Sequence, residues 1–565
     1  MNTSVNCMRN DALPPASRNI AATLSERAAL QPLCHAVVFP HTRDSRGRVS
    51  YTHLTFAQLD RDSSRVAYAL RQYGIKAGQR TALMLPPGLD FFTLTFALFK
   101  LGAIPVLIDP GMGVKNLKQC LEQVEPQAFI GNLKANLARK ILGWGKNTLK
   151  YAITTGGRLI PATAHLGDLL DQTPSICNFA HLEPEPHSLA AILFTSGSTG
   201  PAKGTEYTHE NFHAQIEALK ALYAIEPGEI DLCTFPLFAL FAPALGMTAV
   251  VPDMDASKPG EVNPERIFEA FDNFAISNMF GSPALLRRVG AYGCRQERKL
   301  PSLKRVISAG APVPASVLRA MESMLDSECQ VFTPYGATEA LPVSSIGSHE
   351  ILTHTAVKTD TGAGICIGRP VDSIEVRIIR ISDTPITSWD EVEVLPGGDV
   401  GEICVRGPQV TRAYYNREEA TRSAKIPCAD GTFFHRMGDV GYADQQGRLW
   451  FCGRKNHRVV TSESTLFTIP CEAVFNLHPE VARTALVGCG PYGAQRAVLC
   501  VELNPAVGEP RHAQIIEELE QIGRQYTHTA EIDTFLIHPG FPVDVRHNAK
   551  IFREKLALWA QEELA

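Results

Sequence analysis

Short apolar runs punctuate the chain: RTALML at 80–85, AIPVLID at 103–109, AAILFTS at 190–196, RVISAG at 305–310 and GEICVRG at 401–407. Between them lie longer segments in which apolar positions return every three or four residues, as in FAQLDRDSSRVAYALRQYG at 56–74. Runs apolar on both faces predict strands buried between two helical layers, and helical segments between such strands predict largely parallel sheets. The expected class is therefore α/β. The stretch SDTPITSWDEVEVLPGGDVG at 382–401 is rich in turn formers and acids and predicts a solvent-facing connection. After GRLWFCGRKN the pattern changes to short strands, the amphipathic helix AQIIEELEQIGRQ and a final helix IFREKLALWAQ. This divides the chain into a large N-terminal domain of layered α/β subdomains, 1–453, and a small mobile C-terminal α/β domain, 454–565.

Length supports that division, because 565 residues exceed what a single hydrophobic core organises. One stretch, CTFPLFALFAPALGMTAVVP at 233–252, carries no charge and approaches the length of a membrane span. Pro236, Pro243 and Gly246 interrupt it, so a buried strand followed by a helix is the expectation. Its Phe235, Phe238, Ala239, Phe241, Ala242 and Leu245 suit either a core or the wall of an apolar tunnel. A net charge of −5 provides no basic excess for nucleic acid. The fourteen cysteines form no CxxC pair and the N-terminus lacks an apolar leader, which together point to reduced thiols and a cytoplasmic protein.

LFTSGSTGPAKG at 193–204 is the first stretch with evident chemistry. Thr195, Ser196, Gly197, Ser198, Thr199 and Gly200, with Lys203, offer hydroxyls, backbone N–H groups and a cation to a polyanion, and glycine permits close backbone approach. The GxxxxGK[ST] spacing of a Walker A loop is absent. Further on come SAGAPV (308–313), YGATE (335–339), GEICVRG (401–407), HRMGD (435–439), GRKN (453–456) and Lys550 within PVDVRHNAKIFREKL.

This ordered set resembles the adenylate-forming superfamily of acyl-CoA synthetases, luciferases and peptide-synthetase adenylation domains, over roughly residues 50–560. The resemblance implies that 195–203 holds the β- and γ-phosphates of ATP, and that Ser308, Ala309, Gly310, Ala311 and Pro312 with Tyr335, Gly336 and Ala337 line the adenine pocket. It implies Thr338 and Glu339 beside the α-phosphate, Glu339 as the Mg²⁺ contact, and Asp439 on the ribose with Arg454 nearby. Lys550 is the implied catalytic lysine and Asn456 the hinge. Ala549, Asn456 and the His435–Met437 pattern depart from the usual motifs.

In acyl-CoA synthetases a glycine nine residues after the position of Arg454 lines the thiol tunnel, and a basic residue follows two positions later; here stand Glu463 and Thr465. A side chain at a close-approach point fills space, and a carboxylate repels a thiolate. An acyl adenylate without a thiol is open to water, an amine, oxygen chemistry or a nucleophile within the substrate. FPLFALFAPALGM and VVTSESTLFTIPCE are the stretches most similar to the β-lactone synthetases of bacterial long-chain olefin biosynthesis. That likeness implies a long-chain 2-alkyl-3-hydroxy acid as substrate, intramolecular closure, and association with olefin-pathway enzymes including a β-lactone decarboxylase. A long- or medium-chain acyl-CoA synthetase, a carrier-dependent adenylation domain and a silent acyl-adenylate binding protein remain alternatives. His209, in TEYTHENF, stands near the phosphate loop or at a helix start.

Overall fold

The computed structural model describes residues 17–158, 160–177, 179–194, 202–235, 240–543 and 551–565. Among these, a seven-stranded sheet is built from strands between Arg80 and Thr208, with Arg80–Met84, Ile104–Leu107, Ala128–Gly131 and Tyr151–Thr154 all parallel. A fourteen-stranded sheet follows. Its centre is parallel, running through Thr248–Val250, Ile230–Cys233, Asn278–Phe280, Arg305–Ile307 and Gln330–Ala337. From Gln330 onward the pairing turns antiparallel, through Ala340–Gly347, Ile365–Pro370, Leu449–Arg454, Phe433–Ala443 and Gly401–Arg406. Most parallel pairs join strands separated by helices, whereas the hairpin Gln330–Ala337 and Ala340–Gly347 has a two-residue connection that only antiparallel strands allow.

Helices form where the sequence supplies both a cap and an apolar stripe. Thr55 and Gln58 make a reciprocal capping box at the start of Phe56–Tyr73, and Gly74 at φ +117° ends it. The next helix, Leu89–Leu101, is buried on nearly all sides, including Lys100. That ammonium bonds Asp60 Oδ1 at 2.7 Å and Ser64 Oγ at 2.8 Å, the pairing a buried charge requires. The charge-free stretch 233–252 contains the end of a strand, the short helix Phe241–Leu245 and another strand. Among the described residues no helix is long and apolar enough to cross a membrane.

The end of the chain builds a three-stranded sheet from Val481–Cys489, Arg496–Leu503 and Thr534–Ile537, covered by Thr468–Phe475, His512–Gly523 and Arg553–Glu563. It has its own core around Val474, Phe475, Leu486, Leu499, Ile515 and Leu519. The connection 382–401 is largely exposed, as its composition predicts, and it also makes specific contacts. Asp383 pairs with Arg458 at 2.6 Å and accepts from Tyr492 at 2.8 Å, and Ser382 O accepts from Lys455 at 2.9 Å, so the loop holds the chain on either side of Asn456.

Inside the small sheet unit, Glu472 accepts from the Leu486 N–H at 2.7 Å and from Arg553 at 2.8 Å. Burial pushes its carboxyl pKa up, against the pull of Arg553. Replacing Glu472 with alanine leaves the guanidinium without its counter-charge, a loss on the order of 3 kcal/mol. Urea unfolding followed by fluorescence is expected to show that loss in Glu472→Ala; a change below about 0.5 kcal/mol would make the pair dispensable.

Candidate active site

A cavity of about 1290 Å³ opens at the carboxyl ends of both parallel strand runs, where Leu107, Phe194, Thr234, Phe280 and Ser308 follow or end their strands. Ligands in α/β sheets collect at such ends because the loops diverge there. Its polar half is assembled by hairpin geometry. Strands Gln330–Ala337 and Ala340–Gly347 are joined by Thr338 and Glu339, which therefore sit at the tip. Tyr414 donates its hydroxyl to Glu339 Oε1 at 2.6 Å, and the Thr411 N–H bonds Glu339 O at 2.9 Å. Burial first, and Glu339 second, raise the Tyr414 pKa far above the ordinary phenol range, so it stays a donor.

Asp439 stands directly across an antiparallel ladder from Arg454. Its Oδ1 accepts from Arg454 at 2.7 Å and its Oδ2 from the Tyr335 hydroxyl at 2.6 Å. Burial raises the carboxyl pKa while Arg454 and Tyr335 pull it down, and Asp439 in turn raises that of Arg454. Each carboxylate oxygen retains a second lone pair for a ligand hydroxyl. Ser308 to Pro312 form the loop after Arg305–Ile307, with Gly310 at φ +97° providing the left-handed turn. The buried Ser308 Oγ has no hydrogen-bond partner among the described residues.

The other half is apolar. Phe96, Phe99, Phe212, Ile216, Phe241, Ala244 and Ile20 are among its lining. The segment at Ile20 is tied down: Asn19 Nδ2 donates to Phe99 O and Leu182 O at 2.8 Å each, and the Ile20 N–H donates to His209 Nδ1 at 3.1 Å. His209 begins the helix His209–Tyr223, whose cap is Thr208. Both readings of His209 thus meet a third role, as acceptor for the N-terminal segment.

Most of the sequence-predicted residues gather here. Lys203, Ser308, Ala309, Gly310, Ala311, Pro312, Tyr335, Gly336, Ala337, Thr338, Glu339, Asp439, Arg454, Asn456, Phe235 and Phe241 line one cavity. Asn456 lies in the single turn Lys455–His457 directly after Leu449–Arg454. Ala242 and Leu245 are buried beside a separate void of about 40 Å³. Thr195, Ser196, Gly197, Ser198, Thr199, Gly200, Phe238, Ala239 and Lys550 lie outside the described residues. The described residues bordering them do reach the cavity: Phe194 and Lys203, Phe235 and Leu240, Val543 and Ile551. Glu463 is exposed at the tip of the Val459–Val460 and Thr465–Leu466 hairpin, where Thr461 Oγ1 accepts its N–H at 3.2 Å. It is not among the residues lining the cavity.

Tyr207, Gln215, Tyr414 and His435 also face this cavity, and none was singled out for a role from sequence. Only His435 left a trace, as the unusual first residue of HRMGD. Glu339 is the one acid at the hairpin tip, and a single carboxylate completed by phosphate oxygens is a donor set that suits Mg²⁺.

Comparison with known proteins agrees with this architecture. The AMP-binding enzyme family model matches residues 24–415. The chain belongs to the AMP-binding enzyme family. Within the curated proteins it is 47% identical over 550 residues to the olefin beta-lactone synthetase of Xanthomonas campestris pv. campestris, covering 96% of this chain and 98% of that one. It is likewise 47% identical over 558 residues to the olefin beta-lactone synthetase of Stenotrophomonas maltophilia, covering 97% and 98%. Among solved structures, ATP-bound MatB from Rhodopseudomonas palustris superposes with a TM-score of 0.77 at 20% identity, covering 97% of this chain and 100% of that one. The last match shows a shared fold.

The contact between Ile20 and His209 has a pH dependence. Burial first, and His213 second, lower the His209 pKa to about 4, against 6.5 for a free imidazole. Between those values the unfolded chain binds a proton that the folded chain refuses. Stability is therefore complete above pH 6.5 and falls as pH drops towards 4, by on the order of 1 kcal/mol per unit. Urea unfolding from pH 7 to 4 is expected to show a steeper decline for wild type than for His209→Asn; parallel curves would contradict the neutral, buried imidazole.

Proposed function

We propose that this chain uses ATP to adenylate a long-chain 2-alkyl-3-hydroxy fatty acid and then converts the adenylate to a β-lactone. The observation that carries this reading is the near end-to-end, 47% identical match to olefin beta-lactone synthetases. The cavity supports it by joining a charged end to an apolar arm. In the first step a carboxylate oxygen attacks the α-phosphorus and pyrophosphate leaves. In the second, the 3-hydroxyl oxygen attacks the activated carbonyl, its proton is given up, and AMP departs with the bonding pair.

The residues divide the work. Asp439 accepts from the ribose hydroxyls, while Tyr335 and Arg454 hold its carboxylate in place. Ser308 to Pro312 and Tyr335 to Ala337 hold adenine; Thr195 to Gly200 and Lys203 hold the outer phosphates. Glu339 would hold Mg²⁺, which when bound would neutralise phosphate charge. Lys550 stabilises the charge that develops as the α-phosphate is attacked. The unit 454–565 carries Lys550 and turns about Asn456 between the two steps, and Glu463 then fills the passage that a thiol requires. Phe235, Phe238, Ala239, Phe241, Ala242 and Leu245 shape the acyl side.

Closure within the adenylate needs no encounter with a second substrate, which offsets the strain of a four-membered ring. The protein acts in the cytoplasm, and its product passes to a β-lactone decarboxylase associated with it.

Incubation with ATP, Mg²⁺ and a synthetic 2-alkyl-3-hydroxy acid, without coenzyme A, is expected to yield AMP and a β-lactone by NMR of unheated extracts. The matched 3-deoxy acid is expected to stop at bound adenylate. An acyl-CoA formed from the 3-deoxy acid on adding coenzyme A would replace this reading with acyl-CoA ligation. Lys550→Ala is expected to slow pyrophosphate release by at least ~10²-fold, worth about 3 kcal/mol in the barrier, with an unchanged melting temperature. Near-normal release would remove Lys550 from the first step.

A further inference from the structure

The apolar arm contains one polar side chain that packing alone does not explain. Gln215 lies on the helix His209–Tyr223 one turn from Phe212 and beside Ile216, and all three face the cavity. It is 3% exposed, yet its Oε1 has no hydrogen-bond partner among the described residues. Buried amide oxygens are rarely left in that state. The geometry fixes which end of the amide is unused. Tyr207 donates its single hydroxyl proton to Thr338 O, so its oxygen can only accept from Gln215. The Gln215 nitrogen accordingly faces Tyr207, at 3.5 Å, and the oxygen is left over. Thr338 belongs to the hairpin tip that carries Glu339, so the spare acceptor stands one tyrosine away from the charged end.

We propose that Gln215 Oε1 accepts a hydrogen bond from the 3-hydroxyl of the substrate and so distinguishes 3-hydroxy acids from their 3-deoxy and 3-oxo counterparts. This rests on the β-lactone reading above and adds its selectivity element. Gln215 is a positioning residue: it takes no proton, but it holds the hydroxyl oxygen near the activated carbonyl within a wall otherwise made of phenylalanine and isoleucine. A hydrogen at C3 leaves the amide oxygen unmatched. A carbonyl at C3 is worse, because two acceptors then face each other in a site of low polarity.

The test uses the full-length enzyme with three acids of one chain length, carrying 3-hydroxy, 3-deoxy or 3-oxo groups, and reads ATP–pyrophosphate exchange and single-turnover product formation. For wild type, KM in the exchange assay is expected to be at least ~10-fold lower for the 3-hydroxy acid than for either counterpart. In Gln215→Met, of similar volume without the acceptor, exchange with the 3-deoxy acid is expected within about twofold of wild type. The preference for the 3-hydroxy acid should disappear, and lactone formation from its adenylate should fall by ~10-fold or more. Gln215→Glu, which keeps an acceptor oxygen, is expected to restore part of the preference. Equal losses with all three acids in Gln215→Met would overturn the proposal, as would an unchanged preference. If neither variant folds, the wild-type comparison decides: equal KM for the 3-hydroxy and 3-oxo acids would overturn it. Absence of lactone from wild type would instead refute the underlying function, whatever the variants do.

Discussion

The pairing of Asp439 with Arg454 connects the two things this protein has to control. Asp439 sits in the middle of an eleven-residue strand at the charged end of the cavity; Arg454 is the last residue of the neighbouring strand, immediately before the turn Lys455–His457. A bond of 2.7 Å between them fixes the end of the large sheet at the point from which the C-terminal unit continues. Tyr335 completes the triad from the hairpin that presents Thr338 and Glu339, so the hairpin and the strand end before Lys455–His457 share one hydrogen-bonded centre. Just beyond, Lys455 reaches the buried carboxylate of Glu402, at 3.2 Å, and Arg436 meets the same group at 2.6 Å. Buried charges persist only when satisfied in this way, and breaking one member strands the others.

From that centre the cavity changes character within a short distance. Tyr207 marks the transition: its hydroxyl bonds the hairpin tip, and its ring stacks on Phe212 with centroids 5.0 Å apart. The lining also includes Phe96, Phe99, Ile216 and Ile20, with Gln215 as a polar exception. Such a division suits a substrate with one reactive, charged end and long hydrocarbon arms, because polar contacts orient the head while burial of each methylene adds about 0.8 kcal/mol. It also keeps water away from an activated carbonyl that the substrate's own hydroxyl must reach first.

Much of this was legible in the sequence, for identifiable reasons. Alternation of apolar runs with helical segments gave the α/β layers, and the motifs around Ser308, Tyr335, Asp439 and Arg454 converge because each lies on or directly after a strand of one sheet. The antiparallel share of the large sheet was not legible, since an apolar run of five or six residues does not state the direction of its neighbour. Tyr414 and Gln215 were missed because each becomes meaningful only through a partner distant in sequence, Glu339 in one case and Tyr207 with the cavity in the other. The connection 382–401 is solvent-facing, as its acids and turn formers imply, but the pairing of Asp383 with Arg458 and Tyr492 was not legible. Composition reports how many charges a loop has, not where their partners lie. Glu463 shows the converse: its position relative to Arg454 is plain in sequence, while its side chain here points from an exposed hairpin tip and meets the cavity only if the C-terminal unit turns.

The central claim is that the acid, not the alcohol, is activated, and that the alcohol oxygen becomes the ring oxygen. Labelling the 3-hydroxyl of the substrate with ¹⁸O and analysing both products by mass spectrometry tests it most directly. Carboxyl activation followed by closure is expected to leave the label wholly in the β-lactone, with none in AMP, and a carboxylate label should in turn place one oxygen in AMP. Appearance of the hydroxyl label in AMP would mean that the alcohol had been adenylated and displaced by the carboxylate, contradicting the chemistry assigned to this site.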